Sequence, residues 1–232
     1  EDRLPREAED GQQGEREQLV LELKMIADVG IIGFPNAGKS TLLKALTSAA
    51  PKIAPYPFTT LEPNLGILTH EEGRMILADI PGLIKGASQG KGLGYKFLRH
   101  IERTKVLLHV IDPHSARVRL EIDNLGKAVQ IAYEQLRSEL GEYAPELLER
   151  PEVITVNKVD IPEVKEARES IRKALKQKSD EVIFVSAVEK TDLETLVTLL
   201  FETLAEAPEL KRLEEPLPIF GIGDLKNKQM VF

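Results

Sequence analysis

The chain has 232 residues, 42% of them hydrophobic and 30% charged, with a formal net charge of −7 and no cysteine. That balance suits one globular domain with flanking pieces, or two small domains. It excludes a disulfide framework, a thiolate metal site and a global basic footprint for nucleic acid, while leaving room for a local basic face. Apolar runs such as Val106–Ile111 are too short to span a bilayer, and the acidic, polar amino end carries no leader pattern. The chain opens on Glu1 rather than a methionine, which reads as a piece of a longer protein. A monomer in a reducing cytoplasm, with no membrane partner, is the expectation.

Residues 1–18 are charged and read as a linker or the tail of another module. Leu19, Leu21, Leu23 and Met25 then recur at every second position, a strand-like period. Val29–Phe34 is a short buried-strand run, and Leu42, Leu43, Ala45 and Leu46 after it suit a helix. The proline-rich stretch from Pro51 to Pro63 predicts an irregular loop. Strands are expected near Leu65–Thr69 and Met75–Ile80, followed by a loop, Pro81–Gly94, whose five glycines favour mobility. Val106–Ile111 is a further strand. Val118, Ile122, Leu125, Val129, Tyr133, Leu136 and Leu140 step by three and four, which predicts one long amphipathic helix. Val153–Val156 and Val182–Val185 read as buried strands, each followed by a helical pattern, Val164–Leu175 and Leu193–Leu204. Strands alternating with helices predict an α/β fold, a mostly parallel central sheet with helices on both faces.

Gly33-Phe34-Pro35-Asn36-Ala37-Gly38-Lys39-Ser40 fits G-x-x-x-x-G-K-[ST] in full, between a buried strand and a helix, as the P-loop of an NTPase requires. Loop N–H groups must converge on phosphate oxygens, and the positive end of the following helix points at the same anion. Lys39 brings a cation to the β- and γ-phosphates, and Ser40 a hydroxyl to Mg²⁺, with Thr41 beside it. Asp79-Ile80-Pro81-Gly82 fits D-x-x-G: Asp79 would hold Mg²⁺ through water, and the Gly82 amide the γ-phosphate. Thr59 and Thr60, next to Phe58, lie between these two motifs; Thr60 is favoured over Thr59 to close the metal shell when γ-phosphate is present.

Asn157-Lys158-Val159-Asp160 follows a strand, and so does Ser186-Ala187, with Val188 next. A carboxylate at Asp160 accepts from N1–H and the 2-amino group of guanine, which adenine lacks. Sites of this kind reject the analogue by about 10⁴–10⁵. Lys158 can lie along the base plane, Asn157 can tie this loop to the phosphate loop, and a backbone N–H near Ala187 can reach guanine O6. These motifs come in order, each at a strand's carboxyl end, where ligands bind parallel α/β sheets. Together they predict a P-loop domain for GTP and GDP that hydrolyses GTP with Mg²⁺.

The stretches 21–40, 56–66, 79–84 and 90–104 resemble the Obg family of GTPases, a likeness that covers about residues 10–205. It implies residues 1–27 as a linker and the last strand of a truncated N-terminal domain, 28–207 as the G domain, and 208–232 as a C-terminal tail. It further implies a switch in large ribosomal subunit assembly, contact with rRNA and response to ppGpp. Ras-like switches place a Gln after D-x-x-G to orient water; Leu83 stands here, so intrinsic turnover should be slow. Relatives with Asn at the position of Asn36 use it to hold K⁺ beside the phosphates, which joins Asn36 to Lys39 and Gly82 as candidate catalytic residues. Lys85, Lys91, Lys96, Arg99 and Arg103 either contact rRNA or a partner in the GTP state or form a solvated helix face. Gln89 and His100 read as surface residues. The competing reading is a guanine-nucleotide sensor whose output is occupancy rather than turnover.

Overall fold

A computed structural model describes residues 27–47, 52–53, 64–79, 104–176 and 181–208, all within one unit, Met25–Arg212. Among the described residues, seven strands form a single sheet: β1 (Val29–Ile32), β2 (Lys52–Ile53), β3 (Asn64–His70), β4 (Gly73–Asp79), β5 (Val106–Ile111), β6 (Glu152–Val156) and β7 (Val182–Phe184). Their order is β2-β3-β4-β1-β5-β6-β7. Strands β4, β1, β5, β6 and β7 run parallel, and β2 and β3 add an antiparallel edge. Every residue of β1 and β5 is buried, as parallel strands covered on both faces require.

The helices are α1 (Lys39–Leu46), α2 (Pro113–Leu120), α3 (Leu125–Tyr143), α4 (Pro162–Glu166), α5 (Arg168–Leu175) and α6 (Leu193–Glu206), with a 3₁₀ turn at Pro145–Glu149. Alternate side chains of β5 serve opposite cores. Val106, Leu108 and Val110 pack with Leu42 and Leu43 of α1 and Leu196 and Leu200 of α6. Leu107 packs with Leu136 and Leu140 of α3, and Ile111 with Val129 of α3 and Ile171 and Leu175 of α5. Helices therefore cover both faces, as the alternating pattern predicts. No helix among the described residues is long and apolar enough to cross a membrane.

Three local readings need correction. The stretch from Pro51 to Pro63 is not wholly irregular, because Lys52 and Ile53 pair with Leu65 and Asn64. The long helix through Val118–Leu140 is two helices. Helix α2 closes at Glu121, which is left-handed (φ 54°) and bonds back to the Arg117 and Val118 carbonyls, and α3 starts anew with the Asn124 side chain accepting from Lys127 N at 2.9 Å. Val118 is 62% exposed, so its place in the three-and-four pattern is coincidental. Caps are local backbone decisions that side-chain periodicity does not record. The Val164–Leu175 pattern likewise divides at Ala167 (φ −81°, ψ 0°) between α4 and α5. The strand read at Leu19–Met25 lies outside the described residues.

Candidate nucleotide-binding site

The carboxyl ends of the parallel strands gather the motif residues at one edge. After β1 the chain turns at Gly33, where a Cβ would run into the Val110 carbonyl of β5. Asn36 (φ 64°) and Gly38 (φ 92°) are left-handed, a conformation that glycine and asparagine adopt at least cost. Helix α1 starts at once, directing its free amides into the loop as an anion cradle. Pro35, Asn36 and Thr41 are exposed and Ala37 is buried.

Lys39 is buried and loops back, its Nζ donating to Gly33 O at 3.0 Å and Phe34 O at 3.2 Å. Burial lowers its pKa below the ordinary lysine value, while the charge of Asp79 acts the other way. Ser40 Oγ donates to Asp79 Oδ2 at 2.5 Å. Asp79 is 2% exposed, and its Oδ1 has no hydrogen-bond partner. A hydroxyl beside a buried carboxylate with a spare oxygen is a hard, all-oxygen donor pair, and it fits Mg²⁺.

The Asn157–Asp160 loop, the expected base reader, is held by side-chain hydrogen bonds to distant segments. Asn157 Nδ2 donates to Ala37 O at 2.9 Å, and Asn157 Oδ1 accepts from Ala187 N at 3.1 Å. One buried amide thus ties the phosphate loop, the base loop and the end of β7 together. Ser186 Oγ donates to Asp160 Oδ1 at 2.6 Å and accepts from Glu189 N at 3.1 Å, fixing the carboxylate's orientation. Lys158 is left-handed (φ 65°), and its Nζ donates to Asp112 Oδ2 at 2.5 Å. Val188 is 75% exposed at the rim.

The structure therefore brings together Gly33, Pro35, Asn36, Ala37, Gly38, Lys39, Ser40, Thr41, Asp79, Asn157, Lys158, Asp160, Ser186, Ala187 and Val188 along one sheet edge. Phe58, Thr59, Thr60, Gly82, Leu83 and the glycine-rich loop with its basic residues lie outside the described residues. Sequence reasoning missed Asp112, although Asp112-Pro113 after a buried strand is a helix-start signal. It also missed a buried polar network behind the phosphate loop. There His109 Nδ1 meets Glu152 Oε1 at 2.9 Å, Tyr133 donates to Glu152 Oε2 at 3.0 Å, and Arg137 lies 3.2 Å from the same carboxylate. A cavity of about 270 Å³ separates the phosphate loop from α2, with the Arg119 guanidinium 3.6 Å from the Phe34 ring centroid at its wall.

A family model described as "50S ribosome-binding GTPase" matches residues 28–158. The chain belongs to this GTPase family. Among curated proteins it is 47% identical over 207 residues to the GTPase Obg of Anaeromyxobacter sp., covering 88% of this chain and 57% of that protein. It is 45% identical over 205 residues to the GTPase Obg of Roseiflexus castenholzii, covering 88% of this chain and 45% of that protein. The resemblance to Obg proteins thus holds, and the chain spans about half the length of the curated relatives it matches. Among solved structures, a variant of Era from Aquifex aeolicus bound to GDP and aluminium fluoride is similar at TM-score 0.55 and 24% identity, over 79% of this chain and 57% of that one. Era in complex with MgGDPNP and a segment of 16S ribosomal RNA is similar at TM-score 0.54 and 26% identity, over 79% of this chain and 57% of that one. The P-loop GTPase fold expected from the motifs is the fold observed.

Proposed function

We propose that residues 28–207 form a G domain that binds GTP and hydrolyses it slowly to GDP and phosphate, as a switch in assembly of the large ribosomal subunit. The observation that carries this reading is Asp160, held by Ser186 at the edge where Asn157 joins base loop and phosphate loop. A fixed carboxylate accepting two hydrogen bonds from guanine selects against adenine. Family membership and the Obg relatives support the ribosomal role, and the Era complex with ribosomal RNA supports contact with rRNA.

In this mechanism a water oxygen attacks the γ-phosphorus, and the bond to the bridging oxygen of GDP breaks. The loop amides and α1 hold the phosphates in place. Lys39 exchanges its two carbonyl partners for phosphate oxygens, whose negative charge compensates the desolvated ammonium. Ser40 and, through water, Asp79 would hold Mg²⁺, with Thr60 expected to join them when γ-phosphate is present, and the ion would supply further charge neutralisation to the phosphates. Leu83, in the place of a water-orienting Gln, makes the unassisted rate slow. Asn36 would hold K⁺ as partial compensation; the same potassium stimulation in Asn36→Ala as in the parent removes that role.

Titration with fluorescent GTP and ATP analogues tests the base reading. Strong GTP preference that collapses in Asp160→Asn is expected; equal binding of ATP overturns it. The same Leu83 favours a second reading, a sensor of GTP, GDP or ppGpp whose output is occupancy. Turnover stimulated by large ribosomal subunits decides for the switch, and its absence decides for the sensor. The proposed limits are a truncated N-terminal piece before residue 28 and a tail after 207, in a cytoplasmic monomer.

A further inference from the structure

Lys158 is the base-loop residue whose ammonium has the freest choice of position, because it sits on a long stem with only its head group to anchor. Its anchor here is Asp112, at the carboxyl end of β5, at 2.5 Å. The Asp112 side chain is 1% exposed and the Lys158 side chain 32%. The carboxylate is therefore out of water, while the lysine stem can still reach a ligand.

Asp112 is itself fixed from the other side. Its Oδ1 accepts from His114 N at 3.0 Å and Ser115 N at 3.3 Å, capping α2, and the Ser115 hydroxyl donates to Oδ2. A second ion pair, Arg117 with Glu163, joins α2 to α4, just beyond the base loop. Farther along α2, Arg119 covers Phe34 of the phosphate loop. Helix α2 thus braces both loops, and Asp112 is its contact with the base reader. A cap alone needs no charge, since Asn caps as well as Asp. What the buried carboxylate adds is a counter-ion that holds one ammonium in one place.

We propose that Asp112 is a positioning residue for guanine-nucleotide binding: its buried carboxylate orients Lys158 along the face of the purine ring. This rests on the nucleotide-binding reading above. Because Lys158 lies against the ring face and Asp160 against its edge, the two act differently. Asp112 sets affinity for any purine that enters, whereas Asp160 sets which purine is accepted.

Asp112→Asn keeps the cap and removes the charge. With fluorescent GDP and IDP analogues in Mg²⁺, it is expected to weaken both by the same factor, about tenfold. IDP lacks the 2-amino group, so the GDP/IDP ratio should stay at the parent value in Asp112→Asn and fall in Asp160→Asn. A double-mutant cycle supplies the second arm: in a Lys158→Ala background, Asp112→Asn is expected to cost nothing further, because coupled residues are non-additive. Full additivity in the cycle, or parent affinity in Asp112→Asn while the parent binds GDP, overturns the proposal and leaves the nucleotide site standing. A parent that binds neither GDP nor IDP overturns both.

Discussion

The phosphate loop and the base-reading loop lie at the same edge of the sheet, yet they are held in shape by different means. The phosphate loop is a backbone object: left-handed residues at Asn36 and Gly38 bend it, and Lys39 closes it onto its own carbonyls. The base loop is a side-chain object: Asn157, Lys158 and Asp160 each hold position through a partner distant in sequence, namely Ala37 with Ala187, Asp112, and Ser186. A backbone object fails when its conformation is denied. A side-chain object loses one bond at a time and should degrade in steps.

The largest effect should therefore follow from Gly38→Ala. The position needs φ 92°, which costs an L-residue about 1–2 kcal/mol, and the new Cβ would collide with the Asn157 amide. Displacing Asn157 strips both loops of their common tie. We expect GTP affinity to fall by about a thousandfold, or 4 kcal/mol, measured by titration with a fluorescent analogue. A loss below tenfold would show that the phosphate loop is not rigidly specified by its backbone.

An intermediate effect, on stability rather than binding, is expected at Glu152, which lies at the start of β6 in the polar network behind the phosphate loop. Burial acts to raise its pKa, but the hydrogen bond and charge of His109, with Arg137 and Tyr133, more than offset that, leaving it below the ordinary 4.5. The neighbouring Tyr133 hydroxyl is pushed up, by burial first and by the Glu152 charge second. Ionised Glu152 thus stabilises the fold above its unfolded pKa, and that contribution fades as pH falls through the lowered folded value. Glu152→Gln should cost about 2 kcal/mol near neutral pH, and its thermal midpoint should approach the parent's only as pH falls through the lowered folded value of Glu152. Nucleotide affinity at neutral pH should be unchanged. A simultaneous loss of affinity would mean that the network shapes the phosphate loop it backs, and the division into two separately built loops would have to be redrawn.

The contrast also explains what could be read from the chain alone. Gly33, Gly38, Lys39 and Ser40 announce a backbone motif because backbone geometry restricts residue type at fixed spacing, so sequence and structure coincide there. The parallel sheet was equally legible, because strands buried on both faces, such as Val106–Ile111, carry continuous apolar runs. Asp112 was not legible as a partner of Lys158: the two are 46 residues apart, and nothing local in either marks the pairing. His109, Tyr133, Arg137 and Glu152 escaped for the same reason, since their meeting depends on β5 pairing with β6 beneath α3. The split of the long helix at Glu121 escaped because the apolar pattern runs through a break that only the caps record.

The smallest effect, and the finest test of stepwise failure, is expected from Ser186→Ala. The hydroxyl donates to Asp160 and accepts from Glu189 N, and it is fully buried. Its removal leaves Asp160 in its own turn after β6, with one hydrogen bond fewer to hold its rotamer. A hydrogen bond to a charged group contributes about 1.5 kcal/mol net, so GDP affinity should fall about tenfold. Because the edge of guanine is what a loosened carboxylate reads less well, the GDP/IDP ratio should fall with it. A drop in GDP affinity with the ratio unchanged would place Ser186 with Asp112 among the residues that set affinity alone, and would leave Asp160 oriented by its backbone rather than by its neighbour.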